Sequence, residues 1–468
     1  MRFKELFAAK DMTQGEPWKR IAEFAVPMLI GNLAQQLYNT ADSVIVGIYV
    51  GDNALAAVGS ASPILNLLLA IFVGLSTGAS IMVSQSFGSK NRERLSRYIG
   101  NCITLAAIAT LIIMVVGPIV TMPLLRMLDT PDSIINWCAS YLNIFFYGAA
   151  GFFFYNMFSG ILRGMGDSVS ALLFLLVAAA LNVVLDIIFV AQFNMGVAGV
   201  SLATVIAQGI SAVLCLMRLL KMRDVFDLNL EMLKLKRKYS MKILKIGIPS
   251  GITQGIMSIA MLVVQTITNS LGELVIACNV IIMRVDGFAI MPIMTFGQAM
   301  SVYTGQNVGA GKVDRVSSGV KQGSIMALSV SGAITIVLLF FGHHLFAIFT
   351  NTEELIDLAV RMMRILALGY LGIAVSQVIG GVMRGAGDTV TPMWISLIAT
   401  IFLRVPLAYG LAAFTKSAEY PNGKPEALFI SLLVSWSLGA IISLVAYKAG
   451  KWKQKMEITA LHRSSLDN

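Results

Sequence analysis

The phrase LRGMGDS (Leu162–Ser168) returns as MRGAGDT (Met383–Thr389), 221 residues further along the chain. Both copies put a charge pair and two glycines into strongly apolar surroundings. At the same offset SQSFGSKNRERL (Ser84–Leu95) faces GQNVGAGKVDRV (Gly305–Val316), with Gln85 opposite Gln306 and Gly88 opposite Gly309. Near that offset AVP (Ala25–Pro27) corresponds to GIP (Gly247–Pro249). Self-similarity at a fixed spacing is the signature of a duplicated structural unit. Within each phrase, Arg163 or Arg384 is suited to holding helix-end carbonyls. Gly164 or Gly385 allows a tight reversal, and Asp167 or Asp388 with the following Ser or Thr is suited to capping the next helix. The phrase therefore reads as structural, not as a substrate site.

The repeated unit is a membrane unit. The chain has 468 residues, of which 57% are hydrophobic and 13% charged, against about 25% charged in soluble proteins. Apolar blocks recur at the roughly 20-residue length that crosses a hydrocarbon core. Twelve helices are predicted, over roughly 18–47, 53–86, 94–118, 133–161, 168–191, 196–222, 240–271, 274–308, 314–342, 355–383, 389–415 and 425–449. Six spans per repeat is an even number, so both repeats enter from one side and the duplication is parallel. The predicted fold is all-α and integral to the membrane, with two pseudo-symmetric six-helix lobes at 1–222 and 240–449. A cytoplasmic linker at 223–239 and a cytoplasmic tail at 450–468 complete it. The linker, with Leu and Met at helical spacing, suits a helix lying on the membrane surface.

Charge placement gives orientation. Of 35 Lys and Arg, 28 fall in one set of loops and at the termini, five in the opposite loops, and two (Arg284 and Arg404) inside spans. The rich side is cytoplasmic by the positive-inside rule, so both termini face inward. The net charge of +10 is thus a topology signal and no sign of nucleic-acid binding. No small-residue cleavage pattern follows the basic start, so no removable signal is expected. Cys102, Cys138, Cys215 and Cys278 all lie in apolar segments without ligand spacing and read as buried small hydrophobes.

Five ionisable residues sit well inside spans: Asp42, Asp186, Arg284, Asp286 and Arg404. Each costs at least about 2.5 kcal/mol near the bilayer centre and is a functional candidate by default. Tyr38 lies one turn before Asp42 and Asn182 one turn before Asp186, on the same faces. Two acids in one lobe without nearby Lys or Arg have two ways out: they take up a proton, which burial and like charge both favour, or they bind a hard cation through oxygen ligands. The bland alternative is a buried polar pair that merely locks two helices. Thr204 offers a further oxygen. Asp286, with Arg284 and Gln265, is a candidate for secondary coupling or gating. Arg404 shows no partner in the sequence, and near a substrate cavity it would disfavour cations. His343 and His344 point about 100° apart and read as interfacial. Neither they nor His462 is set beside a nucleophile, which argues against an intramembrane enzyme. No phosphate-binding loop of an ATP-driven pump occurs.

With these features in order, the chain resembles the multidrug and toxic compound extrusion (MATE) family over nearly its whole length. The carriers are the twelve spans in two lobes, the doubled LRGxGD-like phrase, the Gln-x-x-Gly element after the second and eighth spans, NTADSVIVG (Asn39–Gly47) and LNVVLDIIF (Leu181–Phe189). The contexts are most similar to DinF-type bacterial and archaeal members. The resemblance implies an N-lobe ion-coupling cluster of Tyr38, Asp42, Asn182, Asp186 and Thr204. It implies a V-shaped cavity between lobes and a bending first span, for which Pro27 is the candidate hinge. Other branches carry acids in the seventh and tenth spans; here those spans offer Gln254, Gln265 and Gln377, which argues against a C-lobe cation site of that kind. The expected function is secondary export of small amphipathic, often cationic organic compounds. It would run by antiport with H⁺ or Na⁺ in the inner (plasma) membrane, as a monomer without cofactor or resident metal. The alternative is a flippase for lipid-linked saccharides on a related two-lobe plan.

Overall fold

The computed structural model describes residues 9–418, 420–450 and 452–453. Most of the predicted tail 450–468, His462 included, lies outside them. The described chain is helical in every predicted span, and no strand occurs among the described residues. Ten helices are long and apolar enough to cross a membrane unbroken, and the pair Asp132–Tyr147 and Ala149–Gly164, bent by 53°, makes an eleventh span. The twelfth is the first helix, Pro17–Tyr49, which is fully helical. It falls short of that apolarity because it carries Asn32, Gln35, Gln36, Asn39, Thr40 and Asp42.

The span predicted over 133–161 is built from two helices, Asp132–Tyr147 and Ala149–Gly164. Gly148 makes the break, and a β-carbon there would collide with Val205 of the sixth span. The missing side chain lets the sixth span press into the bend, as small residues do where membrane helices pack closely.

The duplication is legible atom by atom. A β-carbon on Gly160 would reach the carbonyl of Ser76 at 3.0 Å, and one on Gly381 would strike the carbonyl of Gly297. One turn on, Gly164 meets the carbonyl of Ser80 at 2.7 Å and Gly385 that of Ser301. Each pair of partners is separated by the same 221 residues. The fourth span thus seats backbone-to-backbone on the second, and the tenth on the eighth. Positive φ repeats at the same spacing: Gly51 at 102° and Gly272 at 101°, Gly166 at 85° and Gly387 at 93°, Lys90 at 55° and Gly311 at 74°. Only glycine takes these conformations at no steric cost.

The doubled phrase is therefore explained residue by residue. Its first glycine permits the helix contact and its second makes the left-handed turn. Asp167 accepts from the backbone N–H of Ser170 at 3.0 Å and from its hydroxyl at 2.8 Å. Asp388 accepts from the N–H of Thr391 at 3.3 Å and from its hydroxyl at 2.7 Å. The arginines behave otherwise than expected. Neither Arg163 nor Arg384 bonds a helix-end carbonyl among the described residues; Arg163 lies beside Tyr155 and Cys215. The guanidinium that engages the first phrase is Arg218 of the sixth span, 3.0 Å from Asp167. Asp167 is wholly buried there and needs that countercharge.

By packing, the described chain falls into two units. Among the described residues, one unit comprises 9–11 and Val26–Gly251, the other Met12–Ala25 and the chain from Ile252 onward. The start of the first span belongs with the second repeat, and the start of the seventh (Arg237–Ser270) with the first. Both crossings fall within two or three residues of an in-helix proline, Pro27 and Pro249. The segments ahead of these helices act as straps. In the second unit the N–H of Met12 donates to Gln306 at 2.8 Å, and the Met12 carbonyl accepts from Asn307 at 3.3 Å. In the first unit Arg92 forks onto Asp227 at 2.8 and 2.9 Å, and Arg97 reaches Glu231. These guanidiniums hold both carboxyls below the usual range. Because Arg92 and Arg97 pin the linker down, it forms only a single helical turn, Leu230–Leu233, capped by Asn229, instead of the predicted surface helix.

The glycine contacts predict a graded stability series. Gly164→Ala and Gly385→Ala force a methyl against a carbonyl that cannot move aside, at about 1–3 kcal/mol each. Gly332→Ala, with nothing within 4 Å of its β-carbon, is neutral or mildly stabilising. Melting curves of the purified protein rank the three.

Candidate functional site

In the first unit the first, fifth and sixth spans bring their polar residues together. Asn182 and Asp186 are buried on one stripe of Ser168–Asp186, and Thr204 is buried on Gly196–Lys221. Asp42 faces them, half-buried, from the first span. In the orientation that satisfies both ends of its amide, Asn182 donates to Asp42 Oδ1 at 2.6 Å and accepts from the Thr204 N–H at 3.3 Å. The Thr204 hydroxyl donates to the Val200 carbonyl at 3.0 Å, and the Tyr38 hydroxyl comes within reach of that same Thr204 oxygen. All five residues singled out from the sequence for ion coupling are thus in one pocket.

Asp186 is the most exacting member. Neither of its carboxyl oxygens meets a donor. What comes within hydrogen-bonding reach is the Asp42 carboxyl, which is an acceptor unless it is protonated. Two carboxyls can bond only by sharing a proton, and can remain side by side when ionised only with a cation between them. The pocket fits either. Carboxyl, amide and hydroxyl groups are gathered there, and their oxygens are of the kind a hard cation takes. A π-helical turn, Ile187–Gln192, follows Asp186 at once; such turns recur at functional sites.

One member went unread in the sequence. Tyr141 of the fourth span sits close enough to both acids to feel their charge. A tyrosine in an apolar span is ordinary, and its only signal is its place in the polar interruption SYLN (Ser140–Asn143).

The other flagged groups lie in the second unit. Asp286 accepts from the Tyr370 hydroxyl at 2.7 Å and lies within electrostatic range of Arg404. Arg404, with no partner visible in the sequence, lies near that acid without an ion pair closing between them. Arg284 is exposed and Gln265 donates to Asn269 at 2.8 Å within its own helix, so neither joins Asp286. His343 faces Glu353 and Asp357, all three exposed. All four cysteines are buried and free.

The family model MatE matches residues 27–188 and again 249–410. The chain belongs to the MatE family. Two matches of equal length, beginning at Pro27 and Pro249, restate the duplication. Among relatives, the chain is 30% identical over 454 residues to the probable multidrug resistance protein YoeA of Bacillus subtilis, covering 95% of this chain and 96% of that one. It is 24% identical over 445 residues to the probable multidrug resistance protein NorM of Thermotoga maritima, covering 94% of each. Among solved structures, MATE in the bent conformation superposes with a TM-score of 0.88 at 24% identity, over 96% of this chain and 98% of that one. These likenesses place the chain in a multi-pass membrane fold of two repeats, and the family is one of transporters.

An uncompensated pair of acids is a cost to the fold. Asp186→Asn supplies an amide donor to Asp42 and removes the like charge. It should raise stability by about 1–3 kcal/mol, the cost of a buried unsatisfied polar group. Thermal melting at neutral pH in detergent checks this; a variant less stable than wild type contradicts the geometry described.

Proposed function

We propose that this chain is a secondary exporter of small amphipathic, often cationic organic compounds, driven by inward H⁺ or Na⁺ through Asp42 and Asp186. The observation that carries this is the pair of facing carboxyls, from the first and fifth spans, with no Lys or Arg among the described residues to neutralise them. Relatives named as multidrug resistance proteins support the exporter reading over a saccharide flippase. The protein works as a monomer in the cell membrane with both ends of the chain cytoplasmic, as the Lys and Arg distribution supports.

Asp42 and Asp186 bind the ion, Asn182 holds Asp42 in place and links it to Thr204, and Tyr38 closes the ring. Without the ion, the two charges repel and favour whatever position of the first span separates them. With it, they draw together. An ion that binds one arrangement better shifts the balance between them, and only that difference does work. Pro27 is the hinge: proline removes an intrahelical hydrogen bond, and it stands where the first span passes from one packing unit to the other. One charge moving through 100 mV supplies about 2.3 kcal/mol, and one pH unit about 1.4 kcal/mol. A single proton thus sustains a gradient of roughly a few hundredfold for a neutral substrate.

Dye efflux from proteoliposomes, with a pH gradient and a Na⁺ gradient imposed separately, tests this. Asp42→Asn and Asp186→Asn should each lose gradient-driven efflux while reaching the membrane in normal amount. Undiminished coupled efflux by both variants refutes the assignment. The gradient that drives the wild type identifies the ion.

A further inference from the structure

The second unit holds a polar cluster of different chemistry. Asp286, Tyr370 and Arg404 come from the eighth, tenth and eleventh spans. Tyr370 is fully buried, its ring stacks on Trp436 at 5.9 Å between centroids, and its hydroxyl ties down Asp286 Oδ1 at 2.7 Å. Arg404 stands close enough to Asp286 to feel its charge, yet no ion pair closes between them, and the buried Arg404 Nε–H meets no acceptor. Buried donors are almost always satisfied. The Asp286 carboxyl is engaged instead by Tyr370, whose ring stacks on Trp436.

The backbone also aims Arg404. A π-helical turn, Ile398–Leu403, immediately precedes it. The extra residue of such a turn re-points the side chains that follow. In the fifth span, the counterpart of the eleventh, the π turn abuts Asp186. Each of these two spans carries a single charged residue in its apolar length, and in each the π turn lies against it.

Resting on the exporter reading above, we propose that Asp286, Tyr370 and Arg404 form a subsite for the polar head of zwitterionic substrates. The cationic nitrogen lies against Asp286, the carboxylate or other acceptor takes the Arg404 Nε–H, and the half-buried ring of Trp436, on which Tyr370 stacks, offers an apolar wall. The trio is electrically neutral. A bare cation is repelled by Arg404 and a bare anion by Asp286, so a head with both signs satisfies both groups. Specificity of this kind comes as much from the repulsion of the wrong ligand as from the attraction of the right one.

The test is direct binding to the purified protein, read by dye polarisation with no gradient present. Rhodamine 110, a zwitterion, is compared with its methyl ester rhodamine 123, a cation on the same ring system. Wild type binds rhodamine 110 more tightly. Arg404→Gln weakens rhodamine 110 about tenfold or more, as the loss of a charge-assisted hydrogen bond implies, while rhodamine 123 is unchanged or improved. Asp286→Asn weakens both, and Arg404→Lys recovers part of the preference. A wild type without that preference overturns the proposal. So does a loss in Arg404→Gln that is equal for the two dyes, or absent, when the variant melts as wild type does. If Arg404→Gln fails to fold, Arg404→Lys decides alone, because it keeps the charge but loses the Nε–H; an unaltered ratio of the two dyes then overturns the proposal. Binding without a gradient is independent of Asp42 and Asp186, so failure here leaves the coupling assignment standing, and failure of coupled efflux leaves this result standing.

Discussion

Two carboxyls held face to face away from any basic side chain are the constraint on which the rest depends. In a medium of low effective dielectric, like charges at hydrogen-bonding distance repel by several kcal/mol. On the proposed coupling, it is a proton or a cation in the gap that lets the helices carrying Asp42 and Asp186 stay together. The fold could have removed the problem with one lysine. On the proposed function, keeping both acids, surrounded by Asn182, Thr204, Tyr38 and Tyr141, makes the packing of the first span conditional on an ion. This is what a coupled transporter needs: a helix contact whose stability is set from outside the protein.

Such a contact works only if its surroundings do not yield. The glycine contacts provide that resistance. Where Gly160 and Gly164 seat the fourth span on the second, and Gly381 and Gly385 seat the tenth on the eighth, backbone meets backbone with no flexible side chain between. Strain from the acid pair is therefore not absorbed there. The first and seventh helices differ: each begins in one packing unit and ends in the other, with a proline at the crossing. On the proposed mechanism, rigid pairs elsewhere and a broken hydrogen-bond ladder at Pro27 direct motion into the first span, which is the span that carries Asp42.

Much of the fold was written in the sequence, because the duplication prints the scaffold twice. The recurrence of LRGxGD and the Lys and Arg asymmetry fixed span number and repeat direction on independent grounds. Asp42 and Asp186 announced themselves because a membrane interior makes charge conspicuous. What stayed hidden depended on distance or on ordinary residues. Gly148 looks like any glycine in an apolar run until Val205 is seen to fill its place. Tyr141 is unremarkable until two acids flank it. Asp286 and Arg404 are 118 residues apart, and nothing in either helix pattern says that they meet. The linker misled because its Leu and Met spacing is helical, while the decisive partners, Arg92 and Arg97, lie more than a hundred residues upstream.

Duplication also explains why the two halves divide the work. At the repeat offset Asn182 and Asp186 correspond to Leu403 and Leu407, and Arg404 to Val183. The scaffold is shared, down to its glycines and left-handed turns, but neither polar cluster has a copy in the other half. The first carries two uncompensated acids and is charge-hungry; the second carries an acid and a base and is neutral. An ion that binds the first cluster changes the net charge of its unit, whereas a zwitterion bound at the second does not. Ion and substrate of that kind therefore do not compete for one charge. Any coupling between them must pass through the position of the spans instead of through direct displacement of one ligand by the other.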